Sequence, residues 1–146
     1  MTPKEYLLQV AHAERQIRSI RARIDHYRDL TIGSGMNMDN TPVTHSKGSS
    51  RTEMIAVGII DALSRLNANL GAYEKIVSDA ERMIEQVPQE NYRLILTYRY
   101  LCGMGFPKIG EALRYQDRNS IYRAHGYALS EFGKVMRKNG QHDGPS

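Results

Sequence analysis

The feature that most constrains this chain is a long apolar seam in its middle. Ala56, Ile59, Leu63, Leu66, Leu70, Tyr73, Val77, Ala80, Ile84 and Val87 follow one another at steps of three and four. Such steps place all of them on one face of an α-helix, and their mean period is that of helices packed as a coiled coil. The pattern predicts a helix from about Arg51 or Thr52 to about Gln86. Gly58 and Gly71 lie off the seam and weaken the helix, so packing rather than propensity must hold it. Ile55, Ile60 and Ile76 widen the apolar face, which leaves surface for a third helix or for a second copy of the chain.

A seam of this length needs a partner, and the start of the chain supplies one. Thr2 and Pro3 open a helix, with a hydroxyl cap followed by proline at the first helical position. Leu7, Val10, Ala13, Ile17, Ile20, Ile24 and Tyr27 then recur at three and four. Arg15, Arg18, Arg21, Arg23 and Arg28 occupy the other faces and read chiefly as a solvated surface. From Thr31 to about Ser50 the sequence is rich in Gly, Ser, Thr and Asn and has no period. This predicts a long loose loop at about 31–50 that lets the two helices fold back antiparallel. The Gly33-Ser34-Gly35 run inside it has no phosphate-cradle spacing.

Val87-Pro88 interrupts the pattern, because the residue before proline is pushed out of the α region. A domain boundary is placed there: a helical hairpin over 1–87, a second module over 88–138 and a frayed tail over 139–146. A third helix is expected from about Gln89 to Leu101, with Leu94, Ile95, Tyr98 and Leu101 as core, closed by Gly103 and Gly105. Phe106 to Leu113 then reads as a short helix. Pro107 suits its first turn, Ile109 and Leu113 share a face, and Gly110 offers a crossing helix close approach. Asp117 is a good N-cap for a second helix over about 118–136, on which Ile121, Ala124, Ala128 and Phe132 form one apolar stripe. Gly133 and the run from Lys134 to Lys138 end that helix on positive charge.

Two short helices joined by a tight turn form a helix-turn-helix unit, which sets its second helix in the DNA major groove. Arg118, Asn119, Tyr122 and Arg123 lie off the apolar stripe at the end that would enter the groove. The charge distribution agrees. Residues 1–87 hold 11 Lys/Arg and 11 Asp/Glu, whereas residues 88–146 hold 9 and 5, so the whole net charge of +4 sits on the second module. A basic module beside a neutral one is the electrostatic footprint of nucleic-acid binding.

The residues also exclude several classes. No apolar run approaches the ~20 residues needed to span a bilayer. Lys4, Glu5, Gln9, His12, Glu14 and Arg15 break any secretory-signal layout, so a cytoplasmic location is expected. Cys102 is the only cysteine, so no internal disulfide forms, and it reads as a small buried hydrophobe at a helix end. His12, His26, His45, His125 and His142 show no metal-ligand spacing, and His125 reads as helix packing or a phosphate contact. No catalytic constellation, metal site or cofactor is expected.

Tyr92 to Phe132 resembles region 4 of sigma-70-type factors. More closely, it resembles the small phage and prophage regulators of Gram-positive bacteria, including the RinA- and ArpU-like activators of late genes. Three marks carry the resemblance: Arg99-Tyr100 closing the helix before the motif, Ile109-Gly110 in its first helix, and Ala128-Leu129 after its second. The resemblance covers about the last third of the chain, and the hairpin agrees with those proteins only in kind. It implies that Arg118, Asn119, Tyr122 and Arg123 face promoter bases. Two departures stand out. Arg114 takes the place where the family turn usually has glycine, which predicts a wider turn, since a non-glycine residue at positive φ is strained. Tyr122 stands where a basic or polar residue is common.

The expectation is an all-α protein with an N-terminal antiparallel helical hairpin followed by a helix-turn-helix module. It acts as a sequence-specific transcription regulator of phage or prophage genes, and its partners are double-stranded DNA, RNA polymerase and, through the hairpin, a second copy. Arg118 and Arg123 suit guanine, Asn119 suits adenine, and Lys108, Arg114, Lys134 and Lys138 suit phosphate. Two other readings stay open: a DNA-packaging factor of the small-terminase kind, and a helical adaptor that binds RNA polymerase or a sigma factor.

Overall fold

The structure, a computed structural model, describes residues 1–33 and 49–140. Every regular element among them is helical, so the fold is all-α. Helix α1 spans Pro3–Gly33, α2 Ser49–Glu85, α3 Glu90–Leu96, α4 Phe106–Ala112 and α5 Arg118–Lys138, and a π-helical turn over Thr97–Leu101 continues α3. The ends of the expected loop, residues 31–33 and 49–50, are helical, and the remainder of it lies outside the described residues. Asn139 caps α5 and Gly140 follows it, while residues 141–146 of the expected tail also lie outside them.

The N-terminus of α1 is a capping box. The Thr2 hydroxyl accepts from the Glu5 amide at 3.1 Å, and the Glu5 carboxylate accepts from the Thr2 amide at 2.9 Å. Each satisfies a backbone donor that the helix leaves unpaired.

The chain forms two compact units, one of Met1–Arg15 with Glu74–Ser146 and one of Gln16–Tyr73. In the 16–73 unit, Ile20 and Ile24 of α1 share a buried cluster with Ile59, Leu63 and Leu66 of α2, flanked by Tyr27, Leu70 and Tyr73. These are the seam residues read from the sequence.

In the other unit, Leu7 of α1 and Met83, Ile84 and Val87 at the end of α2 are buried with Leu96, Tyr100, Ala128, Phe132, Val135 and Met136. Val87-Pro88 therefore ends α2 without ending the packing. Arg93 closes that corner by donating to the Val87 carbonyl at 2.6 Å and the Pro88 carbonyl at 2.9 Å. Gln86 and Asn139 exchange amide hydrogen bonds between the end of α2 and the end of α5.

The third helix differs from expectation in its core face. Ile95, Leu96 and Tyr100 are fully or nearly buried, whereas Leu94, Tyr98 and Leu101 are only partly so. The helix continues into a π-helical turn, in which the Cys102 amide reaches back five residues to the Thr97 carbonyl at 3.0 Å. Tyr98 and Leu101, on that wider turn, are only partly buried but still pack against the core clusters. The expectation of a buried Cys102 at this helix end is overturned, since Cys102 is exposed.

Two glycines of the helix-turn-helix region meet other helices. Gly110 does meet a crossing helix, but a Cβ there would lie 3.7 Å from Ile121, an ordinary contact, so the approach does not demand glycine. Helix α5 ends at Lys138, on the positive run, and Gly133 lies inside it. That glycine is buried, and a Cβ there would lie 3.0 Å from the Pro3 ring. The start of α1 thus crosses α5 at a position where the latter has no side chain.

Candidate nucleic-acid interface

Helix α5 packs against both α3 and α4. Ile95, Ile109, Ile121 and Ala124 form the buried cluster that joins the three, with Tyr92, Tyr98, Met104, Phe106, Leu113 and Tyr115 packed around it. Asp117 is the N-cap of α5, as its residue type predicts. Its backbone is extended, and its carboxylate accepts from the Asn119 amide at 3.2 Å.

The turn between α4 and α5 is tight rather than wide. Arg114 takes φ 62°, the left-handed conformation that glycine normally fills. The Tyr115 amide donates to the Gly110 carbonyl at 2.8 Å and the Arg114 amide to the Glu111 carbonyl at 3.2 Å. That pair of bonds is the Schellman motif, with arginine at its left-handed position. The satisfied carbonyls and the packed Tyr115 hold Arg114 there despite its Cβ. Replacing Arg114 by glycine is expected to stabilise the fold by about 0.5–1 kcal/mol, because relief of the left-handed clash outweighs the extra unfolded-state entropy. Urea unfolding of parent and variant measures this, and a lower midpoint for the variant would contradict the strain.

Arg118, Asn119, Tyr122 and Arg123 are all exposed on the first turns of α5. Arg123 donates to the Ser120 hydroxyl at 3.4 Å. Tyr122 is supported from beneath by Phe106, with ring centroids 4.9 Å apart. The four basic residues assigned to phosphate, Lys108, Arg114, Lys134 and Lys138, are exposed as well. Lys134 already pairs with Glu131 at 2.9 Å, so it would have to exchange that partner for a phosphate. The exposed face of α5 continues past the residues read from the sequence. Tyr127 is 61% exposed and Gly126, Ser130 and Arg137 are exposed too. A Cβ at Gly126 would meet nothing within 4 Å.

Beneath this face lies a stack that fixes how α5 sits. The Arg99 guanidinium lies 4.2 Å from the centre of the Phe106 ring, a cation–π contact, and donates to the Met104 carbonyl at 3.3 Å. Phe106 meets His125 edge-on at 4.8 Å. His125 Nε2 and the Tyr100 hydroxyl share a hydrogen bond of 2.8 Å. Burial, with the nearby positive charges of Arg99 and Lys4, lowers the His125 pKa from 6.5 to about 4. Its imidazole is thus neutral near pH 7, and its place is in the packing rather than on the surface.

Among the described residues no cluster of His, Cys, Asp or Glu is arranged to hold a metal ion. No described helix is long and apolar enough to cross a membrane. Comparison of the chain with protein-family models, with curated proteins and with solved structures finds no match in any of the three.

Proposed function

We propose that this chain is a cytoplasmic, sequence-specific DNA-binding regulator of phage-type genes, with α5 as its recognition helix in the major groove. Its N-terminal helices form an antiparallel hairpin that serves assembly or contact with RNA polymerase. The observation that carries the reading is the division of α5. One face, Ile121, Ala124, Ala128 and Phe132, is buried in the core, and the other exposes Arg118, Asn119, Tyr122 and Arg123 to solvent, Tyr122 resting on the Phe106 ring. Arginine and asparagine at the start of a capped helix have the geometry for guanine and adenine edges. Lys108, Arg114, Lys134 and Lys138 flank them as phosphate contacts that set register without reading sequence.

The test is selection from a randomised duplex library, followed by anisotropy titrations over a salt series. The parent is expected to enrich one motif. Arg118→Ala with Arg123→Ala should remove that preference, at about 1–3 kcal/mol per base contact, and leave weak general binding. Lys108→Ala or Lys138→Ala should weaken all duplexes alike and flatten the salt slope by about one unit each. Arg114→Gly should do the same while raising stability, so its two effects have opposite sign. Equal binding of every duplex by parent and double variant would favour a packaging role over a promoter reader. No binding at all would leave the adaptor.

A further inference from the structure

We propose that the outer face of α2 in the 16–73 unit docks a second, antiparallel copy of this chain, with Asp61 and Arg65 of each copy paired to Arg65 and Asp61 of the other. The inference stands apart from the DNA reading.

Among the described residues the unit does not finish its core. Its buried cluster of Ile20, Ile24, Ile59, Leu63 and Leu66 is small, and Met54, Ile55, Val57 and Ile60 stay exposed at the start of α2. Two helices rarely bury enough apolar surface to be stable, and association is the usual remedy. On the side of α2 away from the buried residues runs a second seam: Met54, Gly58, Asp61, Arg65, Ala68 and Ala72, all exposed. Its steps alternate four and three, the same heptad spacing as the buried seam. A helix with two such seams is built to touch two neighbours, and the described residues supply only one of them.

The content of the second seam selects the neighbour. Bulk lies at one end, with Met54 flanked by Ile55 and Val57. Small residues lie at the other, with Ala68, Gly71 and Ala72. Opposite charges lie between. A Cβ at Gly58 or Gly71 would meet nothing within 4 Å, so no packing among the described residues accounts for either glycine. An antiparallel copy with its two-fold axis level with Leu63 satisfies the whole pattern at once. Met54 then meets Ala72, Gly58 meets Ala68, and Asp61 meets Arg65. Each pairing occurs twice, as a two-fold interface requires. A parallel copy would instead set Met54 on Met54, Asp61 on Asp61 and Arg65 on Arg65, leaving gaps and like charges in contact. Size and charge both choose the antiparallel pair.

Sedimentation equilibrium of the full chain tests this, with circular dichroism to check that helicity is kept. The parent is expected to dimerise. Asp61→Arg sets cation against cation and should weaken the dimer at least about tenfold, and Arg65→Asp should do so with anions. The double reversal restores opposite charges and should return the constant to within about threefold of the parent. A parent that stays monomeric overturns the proposal. So does a dimer indifferent to either reversal, or one that the double reversal fails to restore.

Discussion

Replacing Phe132 by alanine is expected to cost about 3–5 kcal/mol, the largest stability loss of any single substitution in the unit that carries α5. Phe132 is fully buried, and its cluster gathers α1, both ends of the α2–α3 corner and the second half of α5. Its ring lies 5.8 Å from that of Tyr6. Removal leaves a cavity lined by groups from four helices, none of which can move in without opening another contact. Since a domain of this size has about 5–15 kcal/mol to lose, urea unfolding should show a far lower midpoint or no native baseline. Tyr127→Ala on the exposed side of the same helix is the control and should stay within about 0.5 kcal/mol of the parent. Similar losses for the two variants would mean that the packing around Phe132 is not as described.

The second large effect is on pH. His125 has a folded pKa of about 4 against an ordinary 6.5, with burial as the main cause and the charges of Arg99 and Lys4 after it. Between those values the unfolded chain binds the proton and the folded chain does not. Stability from this group is therefore complete above pH 6.5 and falls as the pH drops towards 4. The difference corresponds to roughly 3 kcal/mol. His125→Gln keeps a hydrogen-bonding partner for the Tyr100 hydroxyl and removes the titration. Urea midpoints at pH 7, 6 and 5 should fall steadily for the parent and far less for the variant. Parallel slopes for the two proteins would rule out His125 as the source.

Much of this was legible in the sequence because helix faces are periodic. Ile59, Leu63, Leu66, Val77, Ala80, Ile84 and Val87 are buried as their spacing demands, and so are Ile121, Ala124, Ala128 and Phe132. The Asp117 cap was legible because its chemistry is local. Three features were not, and each depends on something a period does not encode. The π-helical turn over Thr97–Leu101 widens the helix locally, which no 3.6-residue period encodes, and Leu96 and Tyr100 are buried more fully than Tyr98 and Leu101. Arg114 takes a conformation against its own preference, because the Schellman bonds and Tyr115 outweigh one left-handed residue. Gly133 owes its identity to Pro3, at the far end of the chain. The candidate interface was legible as far as its first two turns, where the cap marks the helix start. Tyr127 was missed because an exposed aromatic one turn further on has no local signal.

The contact of Pro3 with Gly133, and of Leu7 with the Phe132 cluster, sets an order of events during synthesis. A ribosome adding about 5–20 residues per second releases the start of α1 on the order of ten seconds before α5 is made. Throughout that interval Leu7 has no Phe132 to meet, and the end of α2 has only half of its core. The helices form early, but the unit that carries α5 closes only when its last helix leaves the exit tunnel. Until then, any nascent chain displays Leu7, Met83, Ile84 and Val87 to whatever binds apolar surface, and a growing polysome presents many copies of that surface side by side. Cooling, which weakens apolar association, therefore reduces what that surface collects before α5 arrives.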